Sequence, residues 1–283
     1  MLELTERYSH RPLFIAGMPK SGTSLIGNLL NNHPDFDLDF DNEAVPQFLA
    51  YASDLPKNMF FLNDGRDSEY LRRHVGHWRD NDCANLHELN RAYFTRLHLG
   101  WNSGLRWGSC NPYQVFHMEL TWRWYPDAEF VIVQRDPRDI WASYRHHRHY
   151  AEGKSLDSEN AAQWVQYVRL LQTVHDMCGR FGEDPRVHLV QYHHVVKDPE
   201  LIYRLLGLEA PENYIENART VLLGRSYGLS TDELKDVAVN GDKILTSRVG
   251  RWKRDLTDEE ISRVEGVFPM TCAFYDHEVT DCA

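Results

Sequence analysis

Two stretches carry side chains whose types and spacing suit the binding of anions. The first is Gly17-Met18-Pro19-Lys20-Ser21-Gly22-Thr23-Ser24. Glycines let a backbone curl so that successive N–H groups converge on one anion. A helix opening directly after such a loop adds its positive N-terminal end. Lys20 supplies a cation on a flexible stem, and Ser21, Thr23 and Ser24 supply hydroxyl donors. The stretch reads as a cradle for a phosphate or sulfate. It departs from the G-x-x-x-x-G-K-[ST] loop of nucleoside triphosphate enzymes. Gly17, Gly22 and Ser24 match that pattern, but Thr23 stands in the lysine place and the lysine is at 20. The plainer reading is a glycine turn that opens a helix.

The second stretch is Arg135-Asp136-Pro137-Arg138-Asp139-Ile140-Trp141-Ala142-Ser143, which follows the apolar run Val131-Ile132-Val133-Gln134. Arg135 is thereby placed at the C-terminal end of a buried strand, where α/β sheets bind their ligands. Its planar fork suits bidentate bonds to an oxyanion. Ser143 follows eight residues later, about 12 Å along a helix. A loop folded back between them would let both side chains clamp one phosphate. The alternative pairs Arg135 with Asp136 or Asp139 at the helix start.

The elements that must hold these groups follow from the apolar pattern. Residues 12–17 read as a buried strand that stops in the glycine loop. Leu25, Ile26, Leu29 and Leu30 recur at helical spacing, and His33-Pro34 ends that helix. Residues 106–107 begin a further strand, and Val115–Tyr125 reads as a helix. Glu129–Gln134 is a clear apolar strand. A helix led by Pro137 is expected to run to about His149, and Ala161–Arg180 reads as a long amphipathic helix. Val187–Tyr192 is another buried strand, followed by a helix from Pro199 to Leu206. Strands alternating with helices imply a central parallel sheet covered on both faces, an α/β three-layer fold. No linker divides the chain, so residues 1–283 are expected to form a single domain. Residues 208–257, with Gly224, Gly228, Gly241 and Gly250, are expected to include mobile loops.

Composition narrows the function. The chain has 283 residues, 31 Lys+Arg and 42 Asp+Glu, a formal charge of −11. A general nucleic-acid binder would want a basic surface, so nucleic acid is excluded as a partner. Cysteines fall at 83, 110, 178, 272 and 282. Their odd number and wide spacing argue against a disulfide framework or a zinc knuckle. The N-terminus lacks a basic region followed by an apolar core, and no stretch reaches the roughly 18 apolar residues of a membrane span. Cytoplasm is the default expectation, with no membrane partner. The tract Arg145-His146-His147-Arg148-His149 is rich in histidine, but adjacent helical side chains point apart. It is read as a partly solvated basic face, with attraction of an anionic acceptor as the alternative, and His193-His194 is read as structural.

Taken together, the chain resembles the sulfotransferases that use 3′-phosphoadenosine 5′-phosphosulfate (PAPS). The resemblance rests on FIAGMPKSGTSLIGNLLNNHPDF, YPDAEFVIVQRDPRDIWASY, QYHHVVKDPELIYRLLGL and SRVGRWKRDLTDEE. It implies the P-loop-like sulfotransferase fold and transfer of a sulfuryl group to a hydroxyl, less readily an amine, with release of adenosine 3′,5′-bisphosphate (PAP). The implied acceptor is a small molecule, carbohydrate or natural product, and the chemistry needs no metal. Lys20 would touch the bridging or sulfuryl oxygens, and Ser21, Gly22, Thr23 and Ser24 would hold the 5′-phosphate. Arg135 and Ser143 would hold the 3′-phosphate, with Arg248 and Arg251 as further candidates there. Tyr192 matches a tyrosine at the adenine end. Glu43, in NNHPDFDLDFDNEAVPQF, falls where protein-tyrosine and heparan-type members carry a glutamate base. His117 is the alternative base. The chain departs from the family at Cys110, where a lysine often stands. Two other classes stay open: a nucleoside triphosphate-dependent kinase, which would need Mg2+, and a nucleotide-binding protein without turnover. Oligomeric state is left open.

Overall fold

The apolar run after Pro12 forms a strand whose two faces are both covered. The computed structural model describes residues 11–40, 105–145, 158–212, 214 and 248–280. Within them the run is β1, Leu13–Gly17, buried along its whole length. Alternation sends Leu13 and Ile15 into one core cluster and Phe14 and Ala16 into another. Then come α1 (Thr23–Asn31), β2 (Phe36–Phe40), β3 (Arg106–Cys110) and a 3-10 helix (Pro112–His117) that runs into α2 (Met118–Trp124). β4 (Glu129–Gln134), α3 (Pro137–Arg145), α4 (Ser158–Phe181), β5 (Val187–Gln191), α5 (Tyr192–Lys197) and α6 (Leu201–Leu205) follow. The C-terminal part is α7 (Trp252–Asp255), α8 (Asp258–Val267) and α9 (Pro269–Thr280).

The described strands are all parallel, in the order β2-β3-β1-β4-β5. One face is covered by α1, α5 and α6, through Ile26, Leu29, Leu30, Val195, Val196, Ile202 and Tyr203. The other is covered by the 3-10 helix, α2 and α4, through Val115, Met118, Val174 and Cys178. This is the three-layer α/β arrangement expected from the pattern. A third cluster joins α3 and α4 to the C-terminal helices through Ile140, Trp141, Tyr167, Leu171, Val264 and Phe268.

Several element bounds differ from the sequence expectation, each for a local reason. β2 was not foreseen, because its acidic residues look like a loop. Its Phe36 and Leu38 are nevertheless buried, and the Asn31 side chain accepts from the Leu38 N–H and donates to its carbonyl. The expected helix over 115–125 splits. Asn111 caps a 3-10 turn by accepting the Tyr113 N–H, with Pro112 at its start, and α2 begins only at Met118. Tyr192 does not end a strand but opens α5, and the helix expected from Pro199 is the shorter α6. The expected extension of α3 to His149, with most of residues 208–257, lies outside the described residues.

At the N-terminal edge of the sheet a buried carboxylate is ringed by two arginines and a histidine. Glu129 meets Arg11 at 2.7 Å, Arg106 at 2.9 Å and His188 at 3.1 Å. Burial alone would raise its pKa. The His188 bond and the charges of Arg106 and Arg11 outweigh that and pull it down to about 2. A carboxyl depressed in the folded state stabilises the fold above its unfolded pKa, and that contribution fades as pH falls toward the folded value. Glu129→Gln is expected to cost about 3 kcal/mol at neutral pH. In denaturant melts across pH, the deficit should shrink steadily from about pH 4.5 toward 2.

Candidate active site

The strand order places a topological switch between β1 and β4. From β1 the chain moves toward β3 and β2, whereas from β4 it moves toward β5. Parallel sheets open a crevice at the C-terminal ends of the strands at such a point. Both candidate anion-binding stretches begin there. Gly17 ends β1 in register with Val133, two residues before Arg135.

The first loop curls as its glycines predict. Gly17 has φ +149°, and a Cβ there would lie 2.6 Å from the Val133 carbonyl oxygen. The Ser21 N–H closes a turn onto the Met18 carbonyl at 2.9 Å. Lys20 has φ +72° and is the one non-glycine residue with positive φ among those described. Gly22 follows at φ +108° and stands at the N-cap of α1 with no side-chain cap. Left-handed residues alternating along a loop turn successive N–H groups to one side, the geometry of an anion nest. The first turn of α1 presents further N–H groups that have no intrahelical acceptor. Ser24 is exposed there, while Ser21 and Thr23 are buried. The Ser21 hydroxyl lies against Gly17 and has no hydrogen-bond partner among the described residues. The Cys110 thiol, in the family's lysine place, donates to the Thr23 carbonyl at 3.3 Å.

Arg135 connects this loop to the second stretch. Its Nη1 donates to the Lys20 carbonyl at 3.0 Å and its Nη2 to the Arg248 carbonyl. The guanidinium sits over the Tyr192 ring, 4.3 Å from the centroid, a cation–π contact strengthened by burial. Its Nε is buried without a hydrogen-bond partner among the described residues. Tyr192 in turn lies against Gly22, where a Cβ would come within 2.3 Å of its ring. Lys20, Gly22, Arg135, Tyr192 and Arg248 therefore form one assembly. Of the two acids proposed as partners, Asp139 lies 3.8 Å from Arg135, whereas Asp136 bonds Arg138 instead.

The other expected residues are placed less directly. Ser143 is half-buried on α3. Arg251 is buried, but its guanidinium is paired with Asp255 at 2.6 Å. Trp252 packs on the third core cluster and under Arg138, 4.1 Å from the ring centroid. His117 is depressed to about 4 by burial, which leaves a neutral imidazole of weak basicity. His193 and His194 lie on α5, their ring centroids 4.2 Å apart. Glu43 and the 146–149 tract lie outside the described residues. Among the described residues no group of three His, Cys, Asp or Glu is placed to hold a metal, and no helix is long and apolar enough to cross a membrane.

Comparison with known proteins bears on this arrangement. Residues 12–212 match the family described as "Sulfotransferase family". The chain belongs to that family. It is an enzyme of the sulfotransferase class. A putative protein-tyrosine sulfotransferase of Caenorhabditis briggsae is 21% identical over 91% of this chain and 86% of its own length. A protein-tyrosine sulfotransferase of Drosophila melanogaster is 22% identical over 91% of this chain, which spans 50% of that longer protein. Among solved structures, the sulfotransferase domain from the curacin biosynthetic pathway superposes with a TM-score of 0.55 at 12% identity, over 91% of this chain and 97% of that one. That likeness supports the fold, a P-loop-like α/β sulfotransferase architecture.

Gly22, expected from sequence to help hold the 5′-phosphate, is also the seat of the Tyr192 ring, a contact between distant residues that local spacing does not signal. Gly22→Ala is expected to push the Tyr192 ring off the loop and to strain the backbone. A loss of about 2 kcal/mol in stability should follow, read by thermal unfolding. Affinity for PAP, read by calorimetry, should fall with it.

Proposed function

We propose that this sulfotransferase moves the sulfuryl group of PAPS to a hydroxyl and releases PAP. The observation that carries this reading is the 3.0 Å bond from Arg135 to the Lys20 carbonyl. It brings two anion-binding stretches, more than a hundred residues apart, into one cleft, as a nucleotide phosphorylated at both ends requires.

In the proposed reaction the acceptor oxygen attacks sulfur in line. The bond from sulfur to the bridging oxygen breaks, and the electron pair leaves with the 5′-phosphate of PAP. As in phosphoryl transfer, the protein mainly positions groups and neutralises developing charge. Lys20 with the N–H groups of residues 20–24 is assigned the 5′-phosphosulfate. Arg135, with Ser143 and the 248–251 segment, is assigned the 3′-phosphate, and Tyr192 the adenosine. Glu43 is assigned the acceptor's proton. A carboxylate of ordinary pKa, about 4.3, is a better base when partly buried.

For the acceptor, the names of the relatives put a tyrosyl hydroxyl on a polypeptide first, ahead of the small molecule or carbohydrate expected from sequence. A screen with labelled PAPS against tyrosine peptides, simple phenols and sugars reads this directly. Turnover is expected to survive a chelator, whereas a nucleoside triphosphate kinase would stop.

Lys20→Ala is expected to lower kcat about a hundredfold. Arg135→Ala should weaken PAP about thirtyfold, on roughly 2 kcal/mol for a charged hydrogen-bonded contact. It should weaken adenosine 5′-monophosphate, which lacks the 3′-phosphate, by much less, the residual loss coming from the freed Lys20 loop. Equal losses for both nucleotides would place the 3′-phosphate elsewhere. Glu43→Gln should lower kcat and spare PAP affinity.

A further inference from the structure

The Asp139 side chain is almost fully buried, at 2% exposure, at the third residue of α3. Both of its oxygens are used. Oδ2 accepts the Gly250 N–H at 2.9 Å, and Oδ1 accepts the Trp252 N–H at 3.1 Å. The same carboxylate faces the Arg135 guanidinium at 3.8 Å, and Arg135 itself donates to the Arg248 carbonyl. Two side chains four residues apart thus hold three backbone groups of one short segment, residues 248–252.

That segment is shaped to be held this way. Gly250 has φ +69°, with nothing within 4 Å of where its Cβ would lie. The glycine is therefore required by the backbone turn rather than by crowding. The turn lets the N–H groups two residues apart converge on one carboxylate. Downstream, Thr257 and Glu260 form a capping box that starts α8 and fixes the far end. A buried carboxylate is tolerated only when its lone pairs and charge are matched. Here the matching groups are the strap's N–H donors, the arginine and the N-terminal end of α3.

We propose that Asp139 is a positioning residue of the active site. It clamps residues 248–252 onto the mouth of the anion cleft and fixes the orientation of Arg135, so that arginine and strap meet the 3′-phosphate as one rigid unit. The inference rests on the nucleotide reading above for its consequence, but the clamp itself does not. Asp136 does a separate task, holding Arg138, which ties α3 to Glu265 and Asp276 of the C-terminal helices.

Two measurements on the full chain test it. The first is trypsin cleavage mapped by mass spectrometry, since the strap and its exit carry Arg248, Arg251, Lys253 and Arg254. Cleavage within 248–254 should be about tenfold faster in Asp139→Ala than in the wild type, with other sites unchanged. The second is calorimetry with PAP and with adenosine 5′-monophosphate. Asp139→Ala should weaken PAP about tenfold and the monophosphate less than about twofold, a selective change that general loosening would not produce. Asp139→Asn, which keeps one acceptor oxygen but no charge, should fall between and serves if the alanine variant does not fold. Wild-type tryptic resistance in the substituted proteins overturns the clamp. An unchanged ratio of the two affinities overturns the positioning role. If the wild type binds neither nucleotide, the functional reading fails, and the tryptic comparison still decides the clamp.

Discussion

One guanidinium holds the site together. Arg135 touches the phosphate-type loop at Lys20, the C-terminal strap at Arg248, the acid at Asp139 and the ring of Tyr192. These groups come from four separate parts of the chain. A flat, permanently charged fork is one of few side chains able to meet so many partners at fixed angles. Its burial is costly unless those partners stay in place. The geometry of the cleft is consequently tied to that of the arginine.

The sheet supplies the precision. β1 and β4 are neighbours in register, so the ends of the two strands are set by backbone hydrogen bonds before any site residue is considered. The loop after β1 and the turn after β4 emerge side by side, at the switch in strand order. Gly17 allows the close approach to Val133, and Gly22 allows the approach of Tyr192. The short run Arg-Asp-Pro-Arg-Asp then divides its charges. Asp136 and Arg138 fasten α3 to the C-terminal helices, while Arg135 and Asp139 face the loop and the strap. Family membership across residues 12–212 accords with this framework.

The parts legible in sequence were those governed by local pattern. The apolar runs at 13–17 and 129–134 announced buried strands, because no other element hides so many adjacent apolar residues so briefly; the strand expected to be buried at 187–192 is β5, of which only Val187 and Val190 are buried while Leu189 is exposed. The glycine loop and the arginine after β4 were legible from residue type. Less visible were features decided by tertiary partners. β2 alternates Phe, Asp, Leu, Asp and Phe, and it is a strand because β3 and Asn31 receive it. α5 begins at Tyr192, where the strand pattern continues in sequence. Asp139 was noted only as a candidate partner of Arg135; its hold on Gly250 and Trp252 spans more than a hundred residues and leaves no mark on local spacing. Ser21, a phosphate donor by residue type, has a buried hydroxyl near Gly17 with no hydrogen-bond partner among the described residues.

One ligand must bridge the two proposed anion sites. A crystal structure with bound adenosine 3′,5′-bisphosphate tests this most directly. The predicted result is one nucleotide whose 5′-phosphate lies within about 3 Å of N–H groups from residues 20–24 and whose 3′-phosphate lies against Arg135. A nucleotide bound elsewhere, or held by one phosphate with the other in open solvent, would contradict it.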